Sequence, residues 1–102
     1  MSYVETEIHG QIMVVRLNRP DRLNALSSVL RRGMAEAFTE FQQNSQLEVA
    51  ILTGVGRGFC AGEDMKESLD RGTPGGGDLG VTDPFMTGTL DKPVIAAVNG
   101  FA

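Results

Sequence analysis

Residues 49 to 64 read Val49-Ala50-Ile51-Leu52-Thr53-Gly54-Val55-Gly56-Arg57-Gly58-Phe59-Cys60-Ala61-Gly62-Glu63-Asp64. The short apolar run that stops at Thr53-Gly54 is consistent with a buried strand, and the acidic pair Glu63-Asp64 suits the first turn of a helix. Between them lies a glycine-rich turn. The order strand, glycine-rich turn, helix invites comparison with nucleotide-binding folds, but Gly54, Gly56 and Gly58 do not give GxGxxG, and no GxxxxGK[ST] occurs. Within the turn, Ala61-Gly62 allows backbone to approach a ligand closely. A helix beginning at Glu63 or Asp64 leaves its first N–H groups without intrahelical partners, and these suit a negative charge developing on a substrate oxygen.

N-terminal to this stretch, residues 4–8 and 11–17 are β-rich runs separated by His9-Gly10, where glycine supplies the positive φ of a tight hairpin turn. The second run carries Ile12-Met13-Val14-Val15, apolar on both faces, and is predicted to be a covered central strand; the first is more polar and nearer an edge. His9, the single histidine, reads as a solvated turn residue. Pro20 then breaks the strand. Arg16, Arg19 and Arg22 cluster around this turn, and two readings are open: scattered surface charge, or a site for a phosphorylated ligand held by bidentate guanidinium contacts. Ser27 and Ser28 are N-cap candidates for a helix reaching about Asn44, with Leu30, Met34, Ala37, Phe38 and Phe41 recurring at helical spacing as its core face.

C-terminal to it, Glu63 and Asp64 are adjacent, so on a helix they point some 100° apart and make a poor acid/base pair. Glu67 reads as surface charge. Residues 70–84, with Gly72-Thr73-Pro74-Gly75-Gly76-Gly77 and Gly80, form an aperiodic segment that reads as a mobile loop or flank of a site, since no Lys-Ser/Thr follows to make a phosphate cradle. Asp83-Pro84 is predicted to start a short helix through Phe85 and Met86. Residues 94–98 are predicted to form a buried strand, apolar throughout, that points Asn99-Gly100 at the ligand end of the sheet. Cys60 lacks a nearby His or Lys to lower its pKa and reads as a small buried filler.

With 102 residues, 41% of them hydrophobic and 22% charged, the composition is that of a single globular domain with a thin core. No apolar run approaches the roughly 20 residues of a membrane span, no signal peptide opens the chain, and the one cysteine cannot form an internal disulfide. A soluble, cytoplasmic protein is expected, without membrane association. The net charge of −4 argues against general nucleic-acid binding.

Three motifs carry a resemblance: Leu17-Asn18-Arg19-Pro20 with Asn24-Ala25-Leu26; Ile51-Leu52-Thr53-Gly54 through Arg57-Gly58-Phe59-Cys60-Ala61-Gly62-Glu63-Asp64; and Lys92-Pro93-Val94-Ile95-Ala96-Ala97-Val98-Asn99-Gly100. In this order and spacing they resemble the crotonase (enoyl-CoA hydratase/isomerase) family over nearly the whole chain, least over residues 71–91. The resemblance implies an α/β fold, the N-terminal portion of a spiral of ββα units, with residues 1–102 forming the first part of an acyl-CoA-binding domain. It implies a lyase or isomerase of fatty acid metabolism that stabilises a thioester enolate in an oxyanion hole of two backbone N–H groups. The first of these would be the N–H of Glu63, and the CoA moiety would lie along Arg22, Leu23, Ala61, Gly62, Glu63, Asp64 and Met65. No metal and no cofactor is implied beyond CoA as part of the substrate, and a homo-oligomer, trimer or hexamer, is the implied assembly.

Against that pattern, the second oxyanion donor and the usual catalytic acids of the family fall beyond Ala102, so the 102 residues alone are expected to be inactive. Glu63 stands where many hydratases carry Ala, and a carboxylate beside an enolate is unfavourable unless it points away or is neutral. A function of a different class, a non-catalytic CoA-binding or assembly fragment, is the alternative. In either case, a sheet whose cover lies elsewhere is expected to expose Val94, Ala96 and Val98, or Ile95 and Ala97, and the 102 residues alone are expected to be poorly stable or to self-associate.

Overall fold

The computed structural model describes residues 3–62 and 82–100. The expected helix from Glu63, the carboxylates Asp64 and Glu67, and the greater part of the glycine-rich segment lie outside the described residues.

Strands β1 (Val4–His9) and β2 (Ile12–Leu17) form the expected antiparallel hairpin, in register from Val4 with Leu17 to His9 with Ile12. Gly10 opens the two-residue turn at φ +60°, a conformation that L side chains rarely adopt. β2 alternates strictly, with Met13, Val15 and Leu17 buried and Ile12, Val14 and Arg16 half-buried. The outward row on β1 is polar: Glu7 accepts a 2.7 Å ion pair from Arg16 and lies 2.8 Å from His9 Nε2. His9 is therefore a surface residue, as its place in the turn predicts, with Glu7 as its partner.

Helix α1 (Ser28–Gln43) begins where Ser27 caps it, its Oγ accepting from the Leu30 N–H at 3.2 Å. The periodic face is buried as the spacing predicts: Leu30, Phe38 and Phe41 are fully enclosed, and Met34 and Ala37 nearly so. Burying each of the large side chains is worth about 1.5–3 kcal/mol, against about 1 kcal/mol for Gly33 inside the helix. At its far end Lys92 Nζ donates to the carbonyls of Phe41 and Asn44, both at 2.8 Å, and lies 5.2 Å from the Phe41 ring centre. Two carbonyls at the helix terminus thereby gain a cationic donor.

β3 (Val49–Gly54) runs parallel to β2, from Ile12 opposite Val49 to Leu17 opposite Gly54, and β4 (Val94–Ala97) runs parallel to β3, giving the order β1-β2-β3-β4. Helix α2 (Pro84–Thr87) is capped by Asp83, whose carboxylate accepts from the Phe85 N–H at 2.9 Å, and it stacks Phe85 on Phe38 with ring centres 4.7 Å apart. The core lies between α1 and one face of the sheet, where Met13, Val15, Leu17, Ala50 and Leu52 meet Leu30, Phe38 and Phe41.

Two expectations about burial need correction. Apolarity on both faces of β2 predicts a strand covered on both sides; it is covered on one, and Ile12 and Val14 on the other are only half-buried. Residues 94–98 are not buried: Val94 is half-buried, while Ile95 is 56% and Val98 53% exposed. The physical reason is position. β4 is an edge strand with β3 as its one strand neighbour, and among the described residues no element covers its outer face.

Candidate active site

The parallel strands β2 and β3 both run toward Leu17 and Gly54, so the segments leaving their C-terminal ends share one end of the sheet. From β2 the chain enters a 3-10 turn, Pro20–Arg22, with proline at its start. Leu23 and Asn24 then take left-handed conformations, φ 51° and 56°, rare for a leucine and better tolerated by asparagine. From β3 the chain enters residues 55–62.

Asn24 binds the two segments together. Its side chain is fully buried, and its Nδ2 lies 3.2 Å from the Val55 carbonyl oxygen, 3.0 Å from that of Gly58 and 3.1 Å from that of Phe59. Its Oδ1 accepts from the Arg19 N–H at 2.6 Å. Two N–H groups thus serve three carbonyls, one of them by sharing, and no buried side-chain polar atom among the described residues is left without a partner. Backbone bonds extend the junction: the Ala61 N–H donates to the Leu23 carbonyl at 2.9 Å, and the Leu26 N–H to the Gly62 carbonyl at 2.7 Å. Gly62 sits at φ +91° with open space where a side chain would start.

Asn99, just beyond β4, holds the same turn from the neighbouring strand. Its Oδ1 accepts from the Gly54 N–H at 3.0 Å, and its Nδ2 donates to the Gly56 carbonyl at 2.9 Å and more distantly to that of Gly58 at 3.4 Å. Thr53 adds a hydroxyl bond to the Ala97 carbonyl at 2.8 Å. Asn99 therefore sits at the C-terminal ends of the parallel strands, against the turn that follows β3.

Of the predicted site residues, the structure hydrogen-bonds Ala61 to Leu23, ties the adjoining Gly62 to Leu26, and puts Arg22 beside them on an exposed turn. Glu63, Asp64 and Met65 lie outside the described residues. The three arginines are divided: Arg16 pairs with Glu7 on the hairpin, while Arg19 lies 5.4 Å from the Tyr3 ring centre and donates to the Ala25 carbonyl at 3.3 Å. For those two, scattered charge with local partners is the better description. Cys60 packs against the core but is only half-buried, not the fully buried filler its sequence context predicts.

Between residues 23 and 26 and between 58 and 62 the junction carries no carboxylate, imidazole, amine or guanidinium, and its one titratable side chain is the Cys60 thiol, packed against the core. Its other polar groups are backbone amides and carbonyls and the Asn24 carboxamide, which suit polarising an oxygen. Among the described residues no group of three or more His, Cys, Asp or Glu is gathered where it could hold a metal. Among the described residues, the two carboxyls with shifted pKa lie elsewhere. Glu7 is held below its ordinary value, chiefly by the hydrogen bond from Arg16 and then by the charge of His9; Asp83 is raised by burial, which the Phe85 and Met86 amides partly oppose. A groove along the C-terminal half of α1, lined by Glu36, Thr39, Glu40 and Gln43, is also remote, since the junction adjoins the helix N-terminus at Leu26.

What residue-by-residue reading misses is the clamp made by the Asn24 side chain. Asn24 follows a proline turn and precedes a serine cap, and asparagine's tolerance of positive φ is the one local signal that it is special.

Comparison with known proteins agrees with this architecture. The family model described as enoyl-CoA hydratase/isomerase matches residues 7–102. The 1,2-epoxyphenylacetyl-CoA isomerase of Escherichia coli K12 is 34% identical across all of this chain, which covers 42% of that protein; the carnitinyl-CoA dehydratase of Proteus mirabilis is 40% identical over 91% of the chain and 36% of the relative. Among solved structures, a probable enoyl-CoA hydratase/isomerase from Mycobacterium abscessus superposes with a TM-score of 0.83 at 33% identity, covering 100% of this chain and 39% of that one. A carnitinyl-CoA dehydratase from Mycobacterium avium gives 0.78 at 33% identity, covering 98% and 40%. The chain thus spans about two fifths of the length of these relatives. Matched by the family model from the first hairpin onward, and superposing on solved members over its α/β sheet, the chain belongs to the enoyl-CoA hydratase/isomerase family.

Proposed function

We propose that the complete protein acts on an acyl-CoA thioester, polarising its carbonyl with backbone N–H groups so that negative charge develops on the thioester oxygen as an enolate forms. The observation that carries this is the 2.7 Å bond from the Leu26 N–H to the Gly62 carbonyl. The N–H of Glu63, the residue that follows Gly62, is the first oxyanion donor in this proposal. A second donor and the acid or base that moves the proton come from the part of the protein beyond residue 102. Loss of one such donor lowers turnover by about 10²- to 10³-fold in comparable sites.

CoA lies along Arg22, Leu23 and residues 61 to 65, with the Arg22 guanidinium available to a phosphate and the Leu23 to Ala61 junction facing the pantetheine. Support for a CoA thioester also comes from the relatives, whose names specify carnitinyl-CoA and 1,2-epoxyphenylacetyl-CoA, one acyl group short and polar and the other bearing a ring. We infer a short or ring-bearing acyl group here. A cytoplasmic trimer or hexamer working in fatty acid metabolism completes the proposal.

Calorimetry with acetyl-CoA, a long-chain acyl-CoA and the free acid tests it. Binding of the short thioester with at least tenfold preference over the free acid is expected, and equal affinity for the free acid removes CoA recognition from the account.

A further inference from the structure

The buried carboxamide of Asn24 is not part of the chemistry proposed above, yet it lies between the two backbone bonds, Ala61 to Leu23 and Leu26 to Gly62, that join the Leu23 turn to the second segment. Residues 23 to 26 grip the second segment at five points. Leu23 accepts from Ala61, Leu26 donates to Gly62, and between them Asn24 donates to the carbonyls of Val55, Gly58 and Phe59. The Oδ1 end is fixed by the Arg19 N–H at 2.6 Å, so the carboxamide cannot turn over without placing its NH₂ against a donor and its oxygen against three acceptors. A buried apolar residue of the same size would fill the space but take away the side-chain donor to the Val55 and Phe59 carbonyls and the acceptor of the Arg19 N–H, leaving the Gly58 carbonyl the longer bond from Asn99.

We propose that Asn24 is a positioning residue, whose carboxamide clamps the 55–59 turn onto residues 23 to 26 and so holds Gly62, the residue before the proposed oxyanion donor, in place. This rests on the oxyanion function proposed above. Phe59 is only two residues from Ala61, so a shift of the turn is passed to Gly62 with little slack. Displacement of reacting groups by about 1 Å is enough to lower rates 10²-fold. Asn24 touches no substrate; its effect passes through the residue it holds in place.

The test uses the full-length chain with cinnamoyl-CoA, whose conjugated thioester band shifts red when its carbonyl is polarised. Asn24→Ala and the near-isosteric Asn24→Asp are compared with Phe38→Leu, a core change remote from the turn. Both Asn24 variants are expected to bind cinnamoyl-CoA within threefold of the parent, to lose at least half of the red shift, and to lower kcat at least tenfold with KM within threefold. In Asn24→Asp the carboxyl, facing three carbonyls, is expected to regain part of the shift as pH falls and its protonated oxygen becomes a donor. If Asn24→Ala does not fold, Asn24→Asp and its pH profile decide. Phe38→Leu is expected to keep the shift while lowering the melting temperature. Full retention of shift and kcat in the Asn24 variants overturns the proposal, as does a shift lost equally in Phe38→Leu. A parent protein that binds cinnamoyl-CoA without any shift, or fails to bind it, overturns the oxyanion reading itself and this proposal with it.

Discussion

Asn24 and Asn99 donate to the same acceptor, the Gly58 carbonyl, from 3.0 and 3.4 Å. They reach it from opposite ends of the chain, one from the turn after β2 and one from the end of β4. Gly54 lies at the same junction: its N–H donates to Asn99 Oδ1 at 3.0 Å, and a Cβ on it would stand 2.8 Å from Asn24 Nδ2. The last residue of β3 is thus pinned by one asparagine and packed against the other, and the loop that leaves it has little freedom before Ala61.

Two glycines in this region are required for different reasons, and substitution separates them. At Gly54 a Cβ would also stand 2.5 Å from the Phe59 carbonyl oxygen, so the obstacle is space; at Gly62 space is open and the obstacle is φ +91°. Gly54→Ala is expected to destabilise the protein by about 1–3 kcal/mol through overpacking. Gly62→Ala is expected to cost about 1–2 kcal/mol through backbone strain. Asparagine reverses the trend: Gly62→Asn should be milder than Gly62→Ala, because asparagine tolerates positive φ, while Gly54→Asn should be harsher than Gly54→Ala. Thermal melts of the four variants check the order, and a milder Gly54→Asn would show that the turn yields.

The Phe38 to Phe85 stack is the main aromatic link between α1 and α2. Phe38 is fully buried, so Phe38→Ala is expected to cost about 3–5 kcal/mol. Phe85 is half-buried, and Phe85→Leu should cost far less, with about 0.5–1.5 kcal/mol of ring coupling recovered in a double-mutant cycle. Denaturant unfolding gives both numbers. A coupling indistinguishable from zero would mean that the rings touch without contributing.

Much of this framework is legible from residue types alone. The alternation of β2, the Ser27 cap and the spacing from Leu30 to Phe41 give element positions because burial on α1 and β2 follows each element's own period. Burial of β4 is not legible in the same way. An apolar run says that cover is needed, whereas the cover itself depends on which elements stack on it, and the outer face of Ile95 has none among the described residues. The Asn24 clamp is hidden for a related reason: its three acceptors lie 31 to 35 residues away, beyond any local pattern. The glycine-rich order after β3 marks where a site would be, and the structure adds how Leu23, Ala61 and Gly62 are joined there.

Two carboxyls move in opposite directions, which sets opposite pH signatures. Glu7 is lowered from 4.5, so its pairing with Arg16 contributes stability above that value and loses it as pH falls through the folded pKa. Being exposed, it contributes little, and the cleaner measurement is titration by NMR: Arg16→Ala should move the Glu7 midpoint upward toward its ordinary value. Asp83 is raised from 3.8, so its ionisation opposes folding as pH rises through the folded pKa. Asp83→Asn keeps the cap on Phe85 without the charge. Its stability relative to the parent should therefore improve from acid toward neutral pH; an unchanged difference across pH 3 to 7 would contradict the assigned cause.

The outer face of the sheet gives the last expectation. Ile12, Val14, Val49 and Ile51 are half-buried there and Ile95 is 56% exposed, all on the side away from α1 according to the strand register. Beyond them β4 has, among the described residues, no strand on its outer edge, and Val98 adds a further exposed apolar side chain at its end. An apolar face that ends at an unpaired edge favours association with another chain, both by burial and by strand pairing. The isolated 102-residue polypeptide is therefore expected to self-associate at micromolar concentration in analytical ultracentrifugation. A lysine at the centre of the edge puts a charge where a second copy would dock, so Ile95→Lys should shift the distribution toward monomer without lowering the melting temperature by more than a few degrees. A parent polypeptide that sediments as a monomer and melts cooperatively would show that this face is stable in water as it stands.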